Sequence, residues 1–68
     1  MKVNVFLEKE NSHRMIEIPK DQTIESVLRK LRINPQTVIV SKNGGVVTEQ
    51  ETLHEKDSLK ILSVKLGG

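Results

Sequence analysis

Only one stretch of this chain carries the spacing of an amphipathic helix. Ile24, Val27, Leu28 and Leu31 fall at i, i+3, i+4 and i+7, while Glu25, Arg29 and Lys30 turn to the other side. A single apolar stripe covers one face of one sheet, so the rest of the 68 residues must supply that sheet. Thr23, with Asp21 just upstream, is placed to cap the start of the helix. Asn34-Pro35 cannot continue it, because the residue before a proline is pushed out of the α region, and the helix is expected to end near Arg32.

The sheet is legible on either side. Val3, Val5 and Leu7 recur with a period of two, with Lys2, Asn4 and Phe6 on the opposite face. Glu8 to His13 reads as a polar turn, followed by a second alternation with Ile16 and Ile18 inward, Met15 and Glu17 outward, closed by Pro19. Val38-Ile39-Val40 is strongly β-prone, Asn43-Gly44 favours a tight turn with positive φ, and Val46-Val47 makes a short return strand. Leu53, alone in a polar segment from Thr48 to Asp57, is expected to plug the core from a loop. Leu59 and Ile61 alternate with Lys60 and Leu62 in a last strand. The expected fold is α+β in two layers: strand, strand, helix, strand, short strand, strand, as a domain over residues 1–64 with a flexible diglycine tail over 65–68.

Composition removes several function classes. The absence of cysteine excludes a disulfide framework, a thiolate metal site and a cysteine nucleophile on this chain. Lys+Arg 11 against Asp+Glu 9 gives a net charge of +2, too balanced to imply nucleic-acid binding, and Phe6 alone offers no base-stacking surface. No signal-peptide pattern opens the chain and no stretch approaches the ~18 apolar residues of a membrane span, so a soluble, cytoplasmic monomer is expected. His13 and His54 stand apart without metal-ligand spacing, and no serine or carboxylate pair has the setting of a nucleophile or an acid/base couple. Asn43-Gly44-Gly45 lacks the lysine and helix that a phosphate-binding loop needs, and a turn explains it.

Taken in order, several weak features make a specific pattern. They are Thr23-Ile24-Glu25 opening the helix, Val38-Ile39-Val40 followed by Asn43-Gly44-Gly45-Val46-Val47, Leu53, Asp57 before the last strand, and Gly67-Gly68 at the end. Over its whole length the chain resembles the ubiquitin-like β-grasp proteins, in particular small archaeal modifier proteins and ThiS/MoaD-type sulfur carriers. One departure is visible: that group usually places glycine before the aspartate leading into the last strand, where this chain has Lys56. A left-handed Lys56 would cost roughly 1–2 kcal/mol.

Two terminal glycines arise by chance in about 0.5% of chains at ordinary glycine usage. Here they follow a β-grasp pattern, and their chemistry is specific. The four residues from Lys65 to Gly68 reach about 13 Å, enough to enter a partner's active site, and glycines pass through a channel too narrow for a Cβ. The terminal carboxylate is anionic at neutral pH and can attack a nucleotide α-phosphate to form an acyl-adenylate. The resemblance implies that a ubiquitin-activating-type enzyme using ATP and Mg²⁺ carries this out, so that the chain is a substrate and not an enzyme, with no bound cofactor of its own. Activated Gly68 would then accept sulfide as a thiocarboxylate, for delivery to a sulfur-accepting enzyme, or join a target-protein lysine through an isopeptide bond. A carrier dedicated to molybdopterin or thiamine synthesis, and a noncovalent β-grasp interaction module, are the alternatives.

Phe6, Met15, Ile39, Leu62 and Val64 are out of phase with the core and should share the outward sheet face. Phe6, Leu62 and Val64, with Leu66 in the tail and Lys60 and Lys65 on the rim, are the expected docking patch for the activating enzyme. Lys9, Lys20, Lys30, Lys42 and Lys56 are candidate acceptors for a further modifier.

Overall fold

The computed structural model describes residues 1–64. Five strands form one mixed sheet: β1 (Lys2–Leu7), β2 (Ser12–Glu17), β3 (Val38–Lys42), β4 (Gly45–Val47) and β5 (Ser58–Ser63), in the spatial order β2-β1-β5-β3-β4. The first and last strands run parallel at the centre, and the other pairings are antiparallel. One helix, α1 (Ile24–Lys30), packs on one face, giving the two-layer arrangement expected from a single apolar stripe. Among the described residues no helix is long and apolar enough to cross a membrane.

The alternation fixes which face the helix covers. Val3, Val5 and Leu7 of β1, Ile16 of β2, Val40 of β3 and Leu59 and Ile61 of β5 are buried together with Ile24, Val27 and Leu28 of α1. Leu53 is 1% exposed and closes the end of this core from its loop, as its isolation in a polar segment suggested. Burying a side chain of this size contributes roughly 1.5–3 kcal/mol, and a domain this small depends on each one.

Thr23 occupies the N-cap position with an extended backbone, but its side chain makes no capping bond. The free N–H groups of the first helical turn go elsewhere: Ile24 donates to the carbonyl of Glu51 at 3.0 Å and Glu25 to that of Glu49 at 2.8 Å. Leu53 in turn donates to Gln22 at 2.8 Å, and Thr23 bridges to Thr52. The loop that carries the Leu53 plug thus caps the helix with its own backbone, which removes the need for a hydroxyl.

At the other end, α1 closes at Lys30, two residues before Arg32, and the proline is not the direct cause. Arg32 adopts a left-handed conformation (φ 60°), its N–H reaches the carbonyl of Arg29 at 3.0 Å, and that of Ile33 reaches Leu28 at 2.8 Å. This is a Schellman termination, with Ile33 packed against the core just beyond it. Pro35 instead opens a short 3₁₀ turn, Pro35–Thr37, capped by the Asn34 carboxamide accepting from Gln36 at 2.9 Å.

The β1–β2 connection is shorter than the polar run Glu8 to His13 implied. A 3₁₀ turn, Glu8–Glu10, and a left-handed Asn11 (φ 49°) reverse the chain, so Ser12 and His13 already belong to β2 and pair with Leu7 and Phe6. Lys56 does adopt the left-handed conformation (φ 68°) that a glycine would take without strain.

Candidate functional site: the uncovered sheet face

Strand register places the outward residues in rows. One row runs His13, Phe6, Lys60, Ser41, Val46 across all five strands, and Ile39 sits directly opposite Leu62 in the next. Among the described residues no helix lies over this face. Phe6 and Leu62 are half-buried, while Ile39 is 43% exposed, Val46 76% and Met15 61%. Phe6 leans on His13, with ring centroids 4.6 Å apart and a tilt of 42°. Beside them a shallow groove is lined by Asn4, Phe6, His13, Ser41, Gly44 and Lys60.

The charge on this face is sparse and mostly positive. Lys60 is exposed between Phe6 and Ser41, and among the described residues no carboxylate forms an ion pair with it. Lys2 shares the face, directly across from Glu17, its one carboxylate among the strand positions. An apolar surface with a free ammonium at its centre suits a partner that brings apolar side chains and an acidic one together.

Of the expected docking residues, Phe6, Lys60 and Leu62 are brought together: Lys60 is in register with Phe6, and Leu62 is diagonal to it. Val64 lies one residue past β5, half-buried, with its N–H donated to the carbonyl of Thr37 at 2.9 Å. Lys65, Leu66, Gly67 and Gly68 lie outside the described residues. Ile39 and Val46 present more apolar surface than Phe6 or Leu62. Val46 was missed because it reads as an ordinary return-strand residue. The two-residue Asn43-Gly44 turn carried the signal: it pairs Lys42 with Gly45 and Ser41 with Val46, so Val46 must share the outward face with Ser41.

Asp57 holds the frame behind this face. Buried at 8% exposure, it accepts from the His54 amide at 2.8 Å and from the Asn43 carboxamide at 3.0 Å, and lies 4.0 Å from the Lys42 ammonium. Burial pushes its carboxyl up, but the two hydrogen bonds and the charges of Lys42 and His54 outweigh that, holding it below the usual carboxylate range. Lys42 is accordingly a poor acceptor for a modifier: its side chain is 14% exposed and its ammonium donates to Glu51 at 2.9 Å and to the Thr52 carbonyl at 3.2 Å. Lys30 is also engaged, donating to the carbonyl of Glu17 at 2.7 Å and so closing part of the open edge of β2. Lys9, Lys20 and Lys56 are exposed.

The arrangement matches known proteins at two levels. Over 53 residues the chain is 30% identical to the sulfur carrier protein TtuB of Thermus thermophilus, a match covering 78% of this chain and 82% of that one. SAMP1 from Haloferax volcanii superposes with a TM-score of 0.79 at 14% identity, covering 100% of both chains. The thiamine biosynthesis protein ThiS from Geobacter metallireducens superposes at 0.71 and 19% identity, again over 100% of both. A ubiquitin-like protein from Caldiarchaeum subterraneum gives 0.67 at 18%, covering 98% of this chain and 100% of that one. These structural likenesses establish the ubiquitin-like β-grasp fold. The family model described as ThiS matches residues 2–68, through the diglycine, and the chain belongs to the ThiS family.

Proposed function

We propose that this protein is a sulfur carrier whose working group is the carboxylate of Gly68. A ubiquitin-activating-type enzyme adenylates that carboxylate with ATP and Mg²⁺, the carboxylate oxygen attacking the α-phosphate and pyrophosphate leaving. Sulfide transfer then displaces AMP and leaves a thiocarboxylate for a sulfur-accepting enzyme. The observation that carries this reading is the family match running through Gly67-Gly68, together with identity to a protein named as a sulfur carrier. In this reading residues 1–64 are the domain that the enzyme grips and residues 65–68 the part that enters its active site.

The grip falls on the uncovered face. Ile39, Leu62, Phe6 and Val46 supply the apolar contact, Lys60 a charge for an acidic partner residue, and Val64, Lys65 and Leu66 continue the contact toward the reacting end. The chain itself does no catalysis here; it presents an acyl group. Conjugation to target lysines uses the same adenylate with an amine in place of sulfide and is the second outcome.

Intact mass spectrometry tests the reading. The protein is incubated with its activating enzyme, ATP, Mg²⁺ and a sulfide donor, beside a variant lacking Gly67-Gly68. A mass gain equal to exchanging one oxygen for sulfur, in the intact chain alone, is the expected result. Adducts through Gly68 to lysines would select conjugation instead, and an unchanged mass with a demonstrably active enzyme would refute both.

A further inference from the structure

The turn between β3 and β4 holds a reactive dipeptide in an unreactive posture. Asn43-Gly44 is exposed, with both residues at positive φ (51° and 92°). In such a pair the Gly44 nitrogen can attack the side-chain carbonyl carbon of Asn43, since glycine has no side chain to hinder the approach. Nothing stands within 4 Å of the place a Cβ would occupy on Gly44. A C–N bond forms, ammonia leaves with the Gly44 amide proton, and the resulting succinimide is opened by water to aspartate or isoaspartate.

Three hydrogen bonds oppose this chemistry. The Asn43 carboxamide nitrogen donates to Asp57 Oδ1 at 3.0 Å, its oxygen accepts from the Ser58 N–H at 3.0 Å, and the Asn43 N–H donates to the Ser58 carbonyl at 2.8 Å. Both polar ends of the carboxamide are thereby turned toward the start of β5. Bringing its carbon onto the Gly44 nitrogen breaks two of these bonds and leaves Asp57 without one of its donors.

We propose that Asn43-Gly44 is a latent self-modification site, a deamidation site kept closed by the Asp57–Ser58 clamp. The aspartate product replaces a donor facing Asp57 with a carboxylate at about the same place, so attraction becomes like-charge repulsion, and the isoaspartate product reroutes the backbone through the former side-chain carbon; either releases the β3–β4 turn from β5. Gly44 also borders the groove beside Lys60, so the new negative charge appears at the margin of the proposed docking face.

Peptide mapping in mildly alkaline buffer tests this, following Asn43 in the folded protein, in the same protein unfolded by urea, and in Asp57→Ala. Asn11, exposed in the β1–β2 turn and remote in sequence from Asp57, is the internal reference. Folded wild type is expected to deamidate at Asn43 at least about tenfold more slowly than the unfolded chain, because reaction must wait for local opening. A folded Asp57→Ala should lose most of that protection at Asn43 and none at Asn11. Should Asp57→Ala not fold, Asp57→Asn, which keeps an acceptor oxygen, should give an intermediate rate. Equal rates in folded and unfolded wild type, or native protection retained in the folded Asp57 variants, would overturn the proposal.

Discussion

The two faces of this sheet are written in alternate residues of the same strands, yet they obey different rules. On the inner face Val3, Val5, Ile61 and Val40 meet α1 and the Leu53 plug, and each is at most 5% exposed. On the outer face Phe6, Lys60, Leu62, Ile39 and Val46 touch only neighbours in the same sheet, with no second layer over them among the described residues, and Val46 is 76% exposed. Folding alone explains the first set and leaves the second unexplained. The contrast separates residues that hold the domain together from those available to a partner, and substitutions on the two faces should therefore fail in different assays.

The largest stability effect belongs to the inner face. Leu28→Ala, at a site 1% exposed, should cost about 3 kcal/mol in urea unfolding, a large share of a small domain's stability. A loss below about 1 kcal/mol would mean that α1 is not the cover on which the core depends. Ile39→Asp and Leu62→Asp should show the reverse. Each is expected to change stability by at most about 1 kcal/mol, while lowering kcat/KM for adenylation roughly thirtyfold, equivalent to about 2 kcal/mol of lost contact. If both parameters fell together, or only stability fell, the outer face would be structural.

Smaller effects come from the loops that join the faces. Asp57 is held below the usual carboxylate range, so its contribution to stability is present above about pH 4, where the unfolded group is ionised, and is lost as pH falls through the lower folded value. Asp57→Asn should therefore weaken the protein at neutral pH and flatten its acid unfolding profile. An unchanged profile would remove Asp57 from the account. Lys56→Gly should gain about 1 kcal/mol, since φ 68° costs lysine strain that glycine does not incur. No gain in thermal unfolding would show that the strain is relieved some other way.

How much of this was legible before the structure follows from what periodicity encodes. Period two in Val3-Val5-Leu7 and Leu59-Ile61, and the stripe Ile24-Val27-Leu28-Leu31, specify sides, and all of these residues are buried except Leu31, which is partly buried against the same core. Even Leu53 was readable, as the single apolar residue in a polar run. Periodicity does not encode which backbone group satisfies another. Thr23 reads as a side-chain cap, but of the N–H groups it would cap, that of Glu25 donates to the Glu49 carbonyl in a loop more than twenty residues away and that of Ser26 to the carbonyl of Thr23 itself. Asn34-Pro35 predicts the helix stop, whereas a left-handed Arg32 makes it, and nothing local marks an arginine for that conformation. Lys42 looked like any other lysine until the loop brought Glu51 and Asp57 to it.

The outer face was half legible for the same reason. Parity identified Phe6, Ile39 and Leu62 as outward-facing. Ranking them required register, which set Ile39 beside Leu62 and added Val46 across from Ser41. The proposed reacting group rests on sequence and not on geometry, since its two glycines and carboxylate lie outside the described residues.

ATP–pyrophosphate exchange by the activating enzyme tests that claim most directly, because it reports adenylation before any sulfur or lysine is involved. The intact chain should support exchange, a chain shortened by Gly68 should support none, and Leu62→Asp should support it only at raised protein concentration. Undiminished exchange without Gly68 would contradict the account.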